Sequence, residues 1–116
     1  MKRRGIRILP GGDYGFAWMA HGTNAKDLEY FVKYVGMSSM EALLSATAWG
    51  GPMMRMGEQL GKLKDGYLAD LLLVDGDPLA DITVLQDKSR ILAVMKDGAF
   101  HRAPATRVAR STRWAA

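Results

Sequence analysis

The sequence holds no cysteine and only two histidines, His21 and His101. Disulfides and thiolate zinc sites are excluded, and a reducing cytoplasmic setting is the expected one. Two imidazoles cannot close a zinc site unless several carboxylates join them. No apolar run approaches the roughly 20 residues that span a bilayer, so no membrane partner is expected. Phosphate-cradling GxxxxGK[ST] and GxGxxG runs do not occur, nor do GxSxG or HExxH. Internal repeats are also missing. The basic start, MKRRGIRILPGG, has too short an apolar stretch for a signal-peptide core and reads as a strand.

What is present fits one domain or a piece of one: 116 residues, enough to bury about two-thirds of the unfolded surface. The formal charge of +4 is unevenly spread. Lys2, Arg3, Arg4, Arg7, Arg102, Arg107, Arg110 and Arg113 are half of the sixteen basic residues and lie at the two ends. The body between them is mildly acidic. Basic ends bind phosphate weakly and without sequence preference, so nucleic acid is not the expected partner.

The most informative stretch is Leu60 to Asp81, LGKLKDGYLADLLLVDGDPLAD. Its centre, Leu68 to Val74, is an apolar run of strand length between Asp65-Gly66 and Asp75-Gly76-Asp77-Pro78. Asp70 interrupts it and requires a sheet margin or hydrogen-bond partners. Earlier, Gly5 to Leu9 reads as a strand ended by Pro10-Gly11-Gly12, with Asp13 next. A carboxylate just past a strand on a glycine turn is where α/β folds place chemistry, although Asp also caps turns through its own backbone. The loop FAWMAHG follows. Phe16, Trp18 and Met19 either line a pocket or fill core, and His21 is either structural or functional.

Thr23 or Asn24 is a helix N-cap, and Leu28, Phe31, Val32 and Val35 follow at i, i+3, i+4, i+7. Gly36 stops this helix. Ser38 and Glu41 form a capping box for a second, with Met40, Leu43, Leu44 and Thr47 as its buried face. Together they predict a helical hairpin. Met53, Met54 and Met56 are read as core filler. Leu79 to Gln86 is a connector with a short helical turn. Ile91 to Lys96 and Ala99 to Arg102 are strands joined by Asp97-Gly98, a strong hairpin signal. His101 then lies on a hairpin edge. Residues 103–116 are expected to be loosely ordered, with Trp114 docked on the body.

Taken together these segments resemble the amidohydrolase superfamily. GIRILPGGDYG is similar to its last barrel strand with the Asp that follows. MSSMEALLSATAWGG resembles its closing helix, and LGKLKDGYLADLLLVDGDPLADI and VMKDGAFHR resemble strands of its small β-domain. The imidazolonepropionase-like and prolidase-like branch is the nearest in pattern. The resemblance covers residues 5–102. It implies an α/β fragment: the last strand and helices of a TIM barrel within 1–58, small β-sandwich strands within 59–102, and a basic tail over 103–116.

The resemblance also implies chemistry. Family members use one or two divalent metals, zinc among them, to make a bound hydroxide that hydrolyses C–N bonds. By position Asp13 matches the Asp that binds metal and takes the proton of the attacking water. Tyr14, Trp18 and His21 on the same loop are the implied substrate-binding residues. The family's His-x-His pair, its other His ligands, its bridging residue and seven barrel strands are not in this sequence. One carboxylate holds a catalytic metal poorly. The expectation is a truncated C-terminal segment that binds no metal and is inactive alone. It would work with a complementing barrel portion, or assemble as a homo-oligomer that covers its open edges. The alternatives are a stand-alone oligomeric binding module and a weak nucleic-acid binder.

Overall fold

The computed structural model describes residues 4–105. Helix α1 (Lys26–Val35) and helix α2 (Ser39–Ala46) pack as a hairpin, and a single turn, α3 (Gly50–Met53), follows. A long loop leads to strand β1 (Leu71–Val74). Two short 3-10 turns, Ile82–Gln86 and Lys88–Arg90, lead to β2 (Ile91–Lys96) and β3 (Ala99–Arg102). The sheet is antiparallel in the order β1-β2-β3. The chain is thus mixed helix and strand, with the helices preceding the sheet.

Local chemistry explains most element ends. The Ser38 hydroxyl accepts from the Glu41 amide at 3.2 Å, and the Glu41 carboxylate accepts from the Ser38 amide at 2.8 Å. This is the predicted capping box. Gly36 ends α1 in the left-handed region at φ 73°. Asp97 and Gly98, both at positive φ, make the tight turn between β2 and β3. Asp70 has found its partner there: its carboxylate accepts from the Asp97 amide at 2.7 Å, and Lys96 Nζ lies 3.9 Å away.

The core joins the two halves. Leu28 of α1, Ala42 of α2 and Ile82 form a buried cluster, flanked by Phe31, Val32, Leu43 and Leu85. Burying Leu28 and Ile82 contributes about 2 kcal/mol each. Gln86 Nε2 donates to the Glu29 carboxylate at 2.8 Å, tying the connector to α1.

Several expectations need correction. Gly5 to Leu9 forms no strand, because no other described segment offers it a ladder. Helix α1 starts at Lys26 with Ala25 at the cap, since Thr23 turns its hydroxyl back to Ala20 O at 2.7 Å. Val35 at the far end of α1 is exposed. Helix α2 buries Ala42 and Ser45, whereas Met40 and Thr47 are exposed. Its small residues face the close approach of α1. Met53 and Met54 lie exposed rather than in the core. Strand β1 begins at Leu71, three residues late, because the Asp70 carboxylate is spent on the hairpin turn. Trp114 and most of the expected tail, residues 106–116, lie outside the described residues.

Candidate active site

The candidate site is the loop between Pro10 and Asn24, held by glycine. Gly15 takes φ 123°, a conformation open to glycine but strained for other residues. Its amide donates to Met19 O at 2.8 Å, and the Met19 amide donates to Phe16 O at 3.0 Å. These bonds close a tight turn directly after Asp13-Tyr14. The His21 ring lies on Gly15, so that a Cβ there would come within 3.0 Å of Nε2. The side chain of Lys88 reaches the next glycine, and a Cβ on Gly22 would come within 3.1 Å of Nζ.

Asp13 is exposed on this loop, and no hydrogen bond or ion pair among the described residues ties its carboxylate down. Tyr14 turns the other way. Its ring covers Gly12, where a Cβ would meet it at 2.6 Å. The phenol makes a long contact to Asn24 O, 3.5 Å. Burial first, and then the Asp27 carboxylate as hydrogen-bond partner and as charge, push Tyr14 up to about 12. Asp27 matters more than Asn24 here because it is charged. Tyr14 and Asp27 line a cleft of about 330 Å³ floored by Pro10, Gly11 and Gly12 and backed by Leu28 and Ala46. Trp18 points into solvent, 81% exposed, stacked on Phe16.

The loop therefore brings Tyr14 to Asp27, His21 to Gly15 and Trp18 to Phe16, while Asp13 stands apart. Sequence reasoning missed Asp27 as the partner of Tyr14. Asp27 lies thirteen positions after Tyr14 with no periodicity to relate them, and it read only as a favourable charge in a first helical turn. Lys88 was missed for the same reason. Among the described residues no group of three His, Cys, Asp or Glu could hold a metal ion. The family's metal does not fit the residues of this loop by themselves.

Helices α1 and α2 meet the connector between β1 and β2 at Ile82, and a glycine loop that presents one carboxylate precedes them. The chain belongs to the amidohydrolase family, whose model matches residues 1–100. It is 34% identical over 105 residues to ochratoxinase of Aspergillus niger, covering 88% of this chain and 21% of that protein. A crystal structure of a Xaa-Pro dipeptidase with methionine bound in its active site is similar at 37% identity and a TM-score of 0.78, covering 88% of this chain and 24% of that one. A prolidase complexed with N-methylphosphonate-L-proline is similar at 29% identity and a TM-score of 0.77, covering 88% and 24%. The chain thus spans about a fifth of the length of the curated relative it matches. No helix among the described residues is long and apolar enough to cross a membrane.

Proposed function

We propose that this chain is the C-terminal part of a metal-dependent amidohydrolase that cleaves the C–N bond of an amide or dipeptide. Asp13 is its catalytic carboxylate. Residues 5–9 take the place of the last TIM-barrel strand, and β1 to β3 the place of small β-sandwich strands. The observation that carries this reading is the family match over residues 1–100, which includes the Asp13 loop. The likeness to a Xaa-Pro dipeptidase and a prolidase supports dipeptides as the substrate class. The absence of cysteine supports a cytoplasmic setting.

In the family a divalent metal, zinc among the choices, supplies a hydroxide near neutral pH. The described residues contribute one free carboxylate to such a site, so the other donors come from a barrel portion outside them. Purified alone, the chain is expected to show background hydrolysis with added zinc. The test fuses the full chain in place of the C-terminal quarter of a Xaa-Pro dipeptidase. Circular dichroism confirms folding, and Xaa-Pro hydrolysis is then measured. The fusion should hydrolyse, and Asp13→Asn should lower the rate about 100-fold or more. A folded fusion without activity, or one indifferent to Asp13→Asn, overturns the assignment.

A further inference from the structure

We propose that the cleft between Tyr14 and Asp27 is a binding site for a small primary ammonium, an alkyl or arylalkyl amine of amino-acid size. This does not rest on the hydrolase reading, because Asp13 is not among the residues that line the cleft. The cleft holds about 330 Å³, the low end of the range for small-ligand pockets. Three oxygen-bearing groups meet on its polar side. The Tyr14 phenol is hydrogen-bonded to the Asp27 carboxylate and lies 3.5 Å from Asn24 O. Among the described residues no lysine or arginine pairs with Asp27, so its charge has only a neutral phenol as partner.

What these groups offer a ligand is acceptors. The opening amides of α1 are already spent: Lys26 donates to Thr23 O at 2.9 Å, Asp27 to Asn24 O at 3.1 Å and Leu28 to Ala25 O at 3.2 Å. This removes the anion site that a helix start otherwise provides. The partial positive charge there, about half an elementary charge, is outweighed by the full charge on Asp27. An ammonium brings three N–H donors and one positive charge, which match a carboxylate, a phenol oxygen and a carbonyl. Calcium fits less well, since it takes about six to eight oxygens and these groups supply fewer. Leu28 and Ala46 give the cleft an apolar back for the hydrocarbon part of the amine. Leu28 belongs to the buried core cluster, so that wall is fixed before a ligand arrives.

The experiment uses the full chain labelled with nitrogen-15, with benzylammonium as the probe. Benzyl alcohol keeps the ring without the charge, and benzyltrimethylammonium keeps the charge without the N–H donors. Benzylammonium should move the Tyr14, Asn24 and Asp27 amide resonances and bind about tenfold or more tightly than either control. Asp27→Asn should weaken it about tenfold or more, and Tyr14→Phe about two- to tenfold, with the Ala42 and Ile82 amides in place in both. Equal binding of either control, no binding, or unchanged affinity in either folded variant overturns the site. So does a set of shifts centred on Asp75 and Asp77, which assigns the binding to exposed carboxylates at large. Cleft resonances that move with protein concentration alone assign the cleft to a lysine of a second copy and overturn the small-molecule reading.

Discussion

Tyr14 and Asp13 are neighbours with opposite surroundings. Asp13 faces solvent, while Tyr14 lies over Gly12 beside the Asp27 carboxylate. Burial and that carboxylate raise the phenol from 10.0 to about 12. A raised phenol favours the neutral form in the folded chain. Its contribution is therefore complete below the unfolded value of 10.0 and is lost as pH rises through about 12. Removing the phenol should remove that loss. Urea unfolding at about pH 9 and about pH 11 should show the folded chain weakening with pH, and Tyr14→Phe weakening less. An equal alkaline loss in both proteins contradicts the placement of Tyr14 beside Asp27. Asp70 makes a related point about a polar residue in an apolar strand. Its carboxylate does the work of a turn cap, reaching the Asp97 amide twenty-seven residues on.

The elements show which features a sequence reveals. The Ser38–Glu41 box, the Gly36 stop and the Asp97-Gly98 turn were legible because each rests on chemistry within about four residues. The strand at Gly5 to Leu9 and the buried face of α2 were misread because both depend on partners distant in sequence. The glycines of the loop from Leu60 serve different ends. Gly61 takes φ 83° and Gly66 φ 82°, the same strain for any other residue. A Cβ on Gly66 meets nothing, whereas one on Gly61 collides with Thr47 O and lies 2.7 Å from its carbonyl carbon. That collision is with backbone at the end of α2, which cannot swing aside. Gly66→Ala should cost about 1 kcal/mol from the left-handed conformation alone. Gly61→Ala should cost at least about 2 kcal/mol more, as overpacking does. Urea midpoints measured side by side decide this, and equal losses would show that α2 and the loop do not meet as described. The candidate site was legible to the same degree. Asp13 stood out by its glycine turn and its family pattern, but nothing in the spacing joined Tyr14 to Asp27.

At the scale of the whole molecule, the described core is thin. Its buried apolar residues are Leu28, Met37, Ala42, Ile82 and Ala93. Meanwhile Trp18, Tyr34, Met53, Met54, Leu63 and Leu72 are each more than half exposed. These exposed side chains lie on the site loop, α1, α3, the long loop and β1, so no single patch accounts for them. Large apolar surface left in water favours association, since each buried methylene gains about 0.8 kcal/mol. Strand β1 adds a second drive, because it pairs only with β2 among the described strands and leaves one edge open. In the absence of a complementing barrel portion, the surface available to cover both is another copy of the same chain. We therefore propose that the isolated chain is a homo-oligomer, and that its folding is coupled to assembly. Light scattering at micromolar concentration should give at least twice the 12.7 kDa chain mass. The thermal midpoint should rise with protein concentration, because mass action stabilises a folded state that includes its partner. A monodisperse monomer with a concentration-independent midpoint would show that five buried apolar side chains and a three-stranded sheet suffice.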